Sequence, residues 1–165
     1  MSASAKPAKR SGGFTIIEVL IVLAIAGLIM VVVFLAVPSL QRSGRNNALN
    51  AAANNVLTAV GNYTGNNNGT MPTDIQFSGN TVEITGGAGS NSESTTVDAS
   101  VADVMLNGAV IDDGDDVGTI QVITGTTAKC NATASGLQGS TSPRSYAVLF
   151  VAESGTGNIL KCIGS

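Results

Sequence analysis

Few residues in this chain are equipped for chemistry. There is no His, so the commonest general base and metal ligand is missing. No nucleophile elbow, phosphate loop or metal-ligand spacing is present, and no spacing singles out a catalytic pair of carboxylates. The two cysteines, Cys130 and Cys162, leave 31 residues between them, far from a C-x-x-C spacing. Acids gather once, at Asp112-Asp113-Gly114-Asp115-Asp116. Ca²⁺ takes oxygen ligands, which makes Asp112, Asp113, Asp115 and Asp116 weak cation candidates. The run departs from the D-x-[DN]-x-[DN]-G loop and reads as a solvated turn before a strand. One acid stands apart: Glu18 is the only charge in the 24 residues from Phe14 to Val37. An acid in a membrane helix is costly and points to function by default. The plainer alternative is that Glu18, one turn inside the run, is tolerated near the headgroups.

The element that carries Glu18 is therefore decisive. A 24-residue helix is about 36 Å long, more than the roughly 30 Å hydrocarbon core of a bilayer. The run exceeds a secretory apolar region of about 7–15 residues and lacks an A-x-A-like site at its far end. A helix apolar all round is either buried or spans a membrane, and the remaining chain is small for burying it. Membrane insertion is the expectation. Lys6, Lys9 and Arg10 precede the run, with no acid among residues 1–13, which favours a cytoplasmic N-terminus. Arg42 and Arg45 beyond the other end weaken that bias. The cysteines lie on the far side of the run, and a disulfide between them requires an oxidising compartment. If that half is exported, Cys130–Cys162 is the natural pair; otherwise they are two buried thiols.

Gly13-Phe14-Thr15-Ile16-Ile17-Glu18, followed by Val19-Leu20-Ile21-Val22-Leu23-Ala24-Ile25-Ala26-Gly27, resembles the start of type IV pilins and their pseudopilin relatives. The resemblance covers about the first 25 residues after Gly13. It implies that a leader, residues 1–13, is cut off between Gly13 and Phe14 by a prepilin peptidase that also N-methylates Phe14. It implies that Glu18, fifth in the mature chain, pairs with the Phe14 ammonium of a neighbouring subunit as the chain leaves the bilayer. Two charges that are each costly in hydrocarbon then satisfy each other and fix register. The family's proline commonly falls a few residues earlier than Pro38 does here. Gly27 and Pro38 bracket a stretch expected to kink or unwind during assembly; close helix packing in the bilayer is the competing role for Gly27.

Beyond Ser39, Leu40, Leu49, Ala52, Val56, Val60 and Tyr63 fall on one helical stripe, opposite Arg42, Arg45, Asn46, Asn47, Asn50, Asn54 and Asn55. The reading is one helix from Phe14 to about Gly61, with residues 14–37 as the transmembrane and assembly part and 38–63 as its amphipathic continuation. Gly65-Asn66-Asn67-Asn68-Gly69 ends it. Residues 64–165 form a loop-rich globular domain. Thr81–Thr85 alternates like a strand, Gly86–Ser92 reads as a flexible turn, and Ala99–Leu106 as a short helix with Asp98 of N-cap type. Val117–Thr124, Tyr146–Ala152 and Asn158–Cys162 read as strands, the last two joined by Ser154-Gly155-Thr156-Gly157. The expected fold class is α+β, pilin-like: a long helix on an antiparallel sheet of three or four strands, with a disulfide loop over 130–162. Such a C-terminal loop is common in the resembling family.

Composition narrows the function further. Formal charge is −3, and without residues 1–13 the balance is 5 basic against 11 acidic, or −6. Such a surface repels phosphate and makes nucleic-acid binding unlikely as a main role. With four Phe, two Tyr and no Trp, there is little material for a stacking platform. Asn62, Asn68 and Asn131 each open an N-x-[ST] triplet, as chance alone supplies in a chain rich in Asn and Thr. No enzyme activity and no cofactor is expected. The resemblance implies a homo-oligomeric filament, with prepilin peptidase, an assembly platform and the membrane as partners, and surface roles in adhesion, twitching motility or DNA uptake. The rivals are a pseudopilin of a secretion or competence system and a single-span anchor for a soluble binding domain.

Overall fold

The structure, a computed structural model, describes residues 12–98 and 101–164. Most of the expected leader, residues 1–11, lies outside the described residues. The chain divides into two compact units, Met1–Leu40 and Gln41–Ser165. Helix α1, Ile16–Asn66, begins in the first and ends in the second. The fold is α+β, with one long N-terminal helix and antiparallel and mixed sheets.

In the first unit every described residue is exposed. Neither Gly27 nor Pro38 interrupts α1 in the single chain, so the expected break is not a feature of the isolated subunit. The helix starts two residues later than Phe14 and runs past Gly61. It stops where Asn68 and Gly69 take positive φ, 54° and 80°. There the Gly69 N–H donates to Thr64 O at 2.7 Å and the Asn67 N–H to Tyr63 O at 3.0 Å, which satisfies carbonyls that a helix end leaves open.

In the second unit α1 buries Leu49, Ala52, Ala53, Val56, Ala59, Val60 and Tyr63. These recur at the three- and four-residue steps of one helix face. Leu40, expected on the same stripe, is 71% exposed because it precedes the part of α1 that meets the sheet. Among the described residues there are nine strands. β1 (Asp74–Ser78), β2 (Thr81–Thr85) and β3 (Glu93–Thr96) make an antiparallel sheet in that order. β4 (Asp103–Leu106), β5 (Thr119–Thr124), β8 (Tyr146–Glu153) and β9 (Asn158–Gly164) make a second, in the order β4-β5-β8-β9. β6 (Lys129–Cys130) and β7 (Leu137–Gln138) form a small ribbon.

Two expectations are corrected here. Asp103–Leu106 is a strand and not the end of a helix; Ala99 and Ser100, where that helix was to begin, lie outside the described residues. Four residues with one fully inward side chain, Val104, carry too little helical signal to resist pairing with β5. That pairing is parallel, Asp103↔Thr119 to Leu106↔Val122, so the sheet is mixed and not antiparallel throughout. A parallel neighbour needs a long crossover, supplied by 107–118.

The four-stranded sheet is covered on both faces. Val104, Ile120, Val122, Val148, Phe150 and Ala152 pack with the buried face of α1 and with Val82 and Ile84 of β2. On the other face Ile123, Ala147, Leu149, Val151 and Cys162 pack with Ile111 and Ala128. Two covered faces explain why β5 and β8 read as nearly unbroken apolar runs instead of alternating. Each fully buried Val, Leu or Phe contributes about 1.5–3 kcal/mol.

Candidate functional site: the N-terminal cap and the clasp at Glu153

Gly13, Phe14 and Thr15 precede α1 in irregular backbone, and all are exposed, Phe14 to 89%. Thr15 is the N-cap of the helix. The Glu18 carboxylate reaches back to it, Oε2 accepting from the Thr15 N–H at 2.8 Å and from its hydroxyl at 2.9 Å. The Glu18 N–H donates to Thr15 Oγ1 at 3.4 Å. This is a capping box, Thr-x-x-Glu, in which an N3 acid returns to the N-cap donor. The acid also lies near the positive end of the helix dipole. Sequence reading weighed Glu18 only as a membrane acid; the spacing Thr15-Ile16-Ile17-Glu18 carried the cap signal as well.

From Ile16 to Leu35 the large apolar side chains are 50–83% exposed. Added bulk at Gly27 would meet nothing within 4 Å, so nothing in the described chain packs against that glycine. α1 is long and apolar enough to cross a membrane.

A second constellation lies in the globular unit. Glu153, at the end of β8, is held through both backbone and side chain. Asn46 Nδ2 donates to its carbonyl at 2.7 Å, and its N–H donates to Asn46 Oδ1 at 2.9 Å. Arg45 grips the carboxylate in a fork, Nε to Oε1 at 2.9 Å and Nη2 to Oε2 at 2.6 Å. Arg42 Nε stands 3.8 Å from Oε2. The hydrogen bond from Arg45 holds the Glu153 carboxyl below the usual carboxylate range, and the charges of Arg45 and Arg42 add to this against partial desolvation. The same bond raises the Arg45 guanidinium. Sequence reading had placed Arg42, Arg45 and Asn46 on a solvent face; no local spacing links them to a residue more than a hundred positions away.

The other candidates fall as follows. Cys130 and Cys162 are joined in a disulfide with Cα atoms 5.6 Å apart, tying β6 to β9. The acidic run forms a turn: Asp115 Oδ2 accepts from the Asp112 N–H, and Asp112 Oδ1 from the Gly114 N–H, both at 2.8 Å. These carboxylates bond their own loop, and among the described residues no group of three acids, Cys or His is placed to hold a metal. Asn131 Oδ1 accepts from Thr133 Oγ1 and the Ser135 N–H, each at 3.0 Å, and Asn68 caps α1 as described.

An exposed Gly-Phe junction, a Thr-capped helix with Glu at its third position and a fully exposed apolar face thus occur together at the N-terminus. Residues 8–34 match the family described as the prokaryotic N-terminal methylation motif. The match supports the resemblance of this segment to the class III signal peptide of type IV pilins and pseudopilins. The methylation motif covers the capping box and most of the exposed apolar helix, and stops short of the globular unit. No curated protein and no solved structure matches the chain.

Proposed function

We propose that this chain is a structural subunit of a type IV pilus-like filament, made as a membrane precursor and polymerised through residues 14–37. The observation that carries the reading is the methylation motif lying on a helix whose large apolar side chains are exposed on every side. In the precursor the bilayer covers that surface. In the filament, neighbouring helices cover it, and burial of apolar area supplies the attraction. Residues 1–13 are the leader, the bond between Gly13 and Phe14 is the cleavage site, and Phe14 becomes the methylated N-terminus. Glu18 then has two tasks. It caps α1 through Thr15, and in the filament it meets the Phe14 ammonium of a neighbour. Gly27 and Pro38 mark the stretch that loosens on assembly. The disulfide-closed globular unit faces outward, where adhesion, motility or DNA uptake would act.

The intact mass of the mature protein tests the processing: loss of residues 1–13 and one added methyl group are expected, and an uncut chain would favour a simple membrane anchor. Glu18 variants separate its two tasks. Glu18→Gln keeps a side chain able to cap but removes the charge, whereas Glu18→Ala removes both. Both should be inserted and cut, and both should lose at least tenfold in filament yield by shearing and electron microscopy. Normal yield from Glu18→Gln would remove the charge pairing. The pseudopilin reading rests on the same motif; long surface fibres at native expression would separate a pilin from it.

A further inference from the structure

The sequence holds two Asn-Gly pairs, Asn68-Gly69 and Asn107-Gly108. In such a pair the glycine nitrogen can reach the asparagine side-chain carbon Cγ, because glycine has no Cβ to obstruct the approach. Attack forms an N–Cγ bond and expels the side-chain nitrogen as ammonia, which leaves a five-membered succinimide. Water then opens one of the two ring carbonyls. The product is aspartate, or isoaspartate with the main chain rerouted through Cβ and Cγ. One water is consumed, one ammonia is released, and nothing is oxidised or reduced. Negative charge develops on two oxygens along the way. As the glycine nitrogen gives up its proton to solvent, its charge spreads onto the asparagine backbone oxygen. The attack itself then puts charge on Oδ1.

The fold treats the two pairs differently. At Asn68-Gly69 the attacking nitrogen is engaged, because the Gly69 N–H donates to Thr64 O at 2.7 Å in the helix end. Among the described residues nothing donates to the Asn68 carbonyl. At Asn107-Gly108 both residues are exposed, and the Gly108 N–H has no acceptor among the described residues. Both oxygens that take up charge face a donor. Gln121, fully buried, donates through Nε2 to Asn107 O at 2.9 Å. The Thr124 N–H donates to Asn107 Oδ1 at 2.9 Å, with the Thr124 hydroxyl 3.4 Å from the same atom. Fixed donors aimed where charge develops lower a barrier. Thr124 Oγ1 also accepts from Asn107 Nδ2 at 3.2 Å, so this hydroxyl touches the nitrogen that must leave and is placed to hand it a proton, which solvent restores.

We propose that Asn107-Gly108 is a self-modification site, converting to isoaspartate and aspartate as the folded protein ages, while Asn68-Gly69 is spared. The conversion adds a negative charge and, as isoaspartate, an extra main-chain atom where β4 crosses to β5. An enzyme class that would recognise this product is a carboxyl methyltransferase acting on isoaspartate. The inference concerns the globular unit alone and does not depend on the filament reading.

Ageing the full chain in detergent, in a warm and mildly alkaline buffer, tests this, with one arm folded and the other in urea. Trypsin has no site between Arg45 and Lys129, so one peptide carries both pairs. Electron-transfer fragmentation places the amide-to-acid exchange at 68 or 107 and distinguishes isoaspartate from aspartate. In the folded arm, conversion at 107 should outpace that at 68 at least fivefold and be no slower than in urea. In urea the two sites should convert within twofold of each other. Similar folded rates at both sites, faster conversion at 68, or slowing of 107 by folding would each overturn the assignment. Thr124→Val keeps the backbone donor and removes the hydroxyl. It should slow folded conversion at 107 at least threefold and leave the rate in urea unchanged. An undiminished folded rate would overturn the role given to that hydroxyl.

Discussion

Glu153 shows how much a single side chain can join. Its carboxylate, amide and carbonyl are all bound by one short stretch of α1. Because Arg45 and Arg42 stabilise the charged form, its folded pKa is depressed, and the sign of the linkage follows. The stabilisation is fully present above the ordinary value of 4.5 and is lost as pH falls through the lower folded value. Hydrogen exchange of the amides from 42 to 50 should therefore accelerate as pH drops below about 4.5, after correction for the intrinsic rate. Glu153→Gln should flatten that dependence, since Gln carries no titrating charge; an unchanged profile in the variant would assign the effect to other acids. The same scale explains why Glu18 was half legible. Its type and position pointed to a role in the membrane, whereas the cap that its distance from Thr15 allows went unread.

At the scale of elements, long patterns were readable and short ones were not. α1, β2, β5, β8, β9 and the Ser154–Gly157 turn follow from apolar periodicity and turn residues. β1 and β3 were missed because Asp74–Ser78 and Glu93–Thr96 have half-buried, mostly polar sequences that take their conformation from β2 between them. β4 was misread because its partner is supplied by the fold. Gln121 was equally hidden, a polar residue inside the apolar run of β5 that is fully buried. Its amide donates to Asn107 O at 2.9 Å and Ala109 O at 2.8 Å and accepts from the Ile111 N–H at 3.0 Å. These three bonds pin the crossover from β4 to β5 on the sheet. Gln121→Leu keeps the size and leaves those backbone groups unpaired, so it should destabilise the globular unit by about 2–4 kcal/mol. Urea unfolding of the detergent-solubilised chain measures this, with exchange at 107–111 rising most. A change within about 0.5 kcal/mol would show that the loop finds other partners.

For the whole molecule, the two units differ in how much of their apolar surface is covered. The globular unit has its own core on both sides of the four-stranded sheet, whereas the described residues of the first unit are all exposed. Residues 41–165 expressed alone in an oxidising compartment should fold as a monomer, seen as a single cooperative transition and a monomeric elution volume. The bridge between Cys130 and Cys162 spans a separation of 32 residues. Replacing both with Ser should reduce stability by about 3–4 kcal/mol in the chain-entropy treatment, and a loss under 1 kcal/mol would place the tie in an already ordered denatured state. The division also explains the uneven legibility of the sequence. The first unit is written in one long apolar word, while the globular unit depends on contacts between distant residues.

The clasp on Glu153 has a mechanical consequence. Tension applied along the helix from its N-terminal end reaches the sheet first at Arg42, Arg45 and Asn46, because these are the first residues of α1 with partners on a strand. The load thus enters at the tip of β8, which is laddered to β5 on one side and β9 on the other. It is shared between two neighbours before it can peel the outermost strand, and that strand is anchored by sulfur. A chain pulled from its N-terminal end is thus braced where the strain arrives.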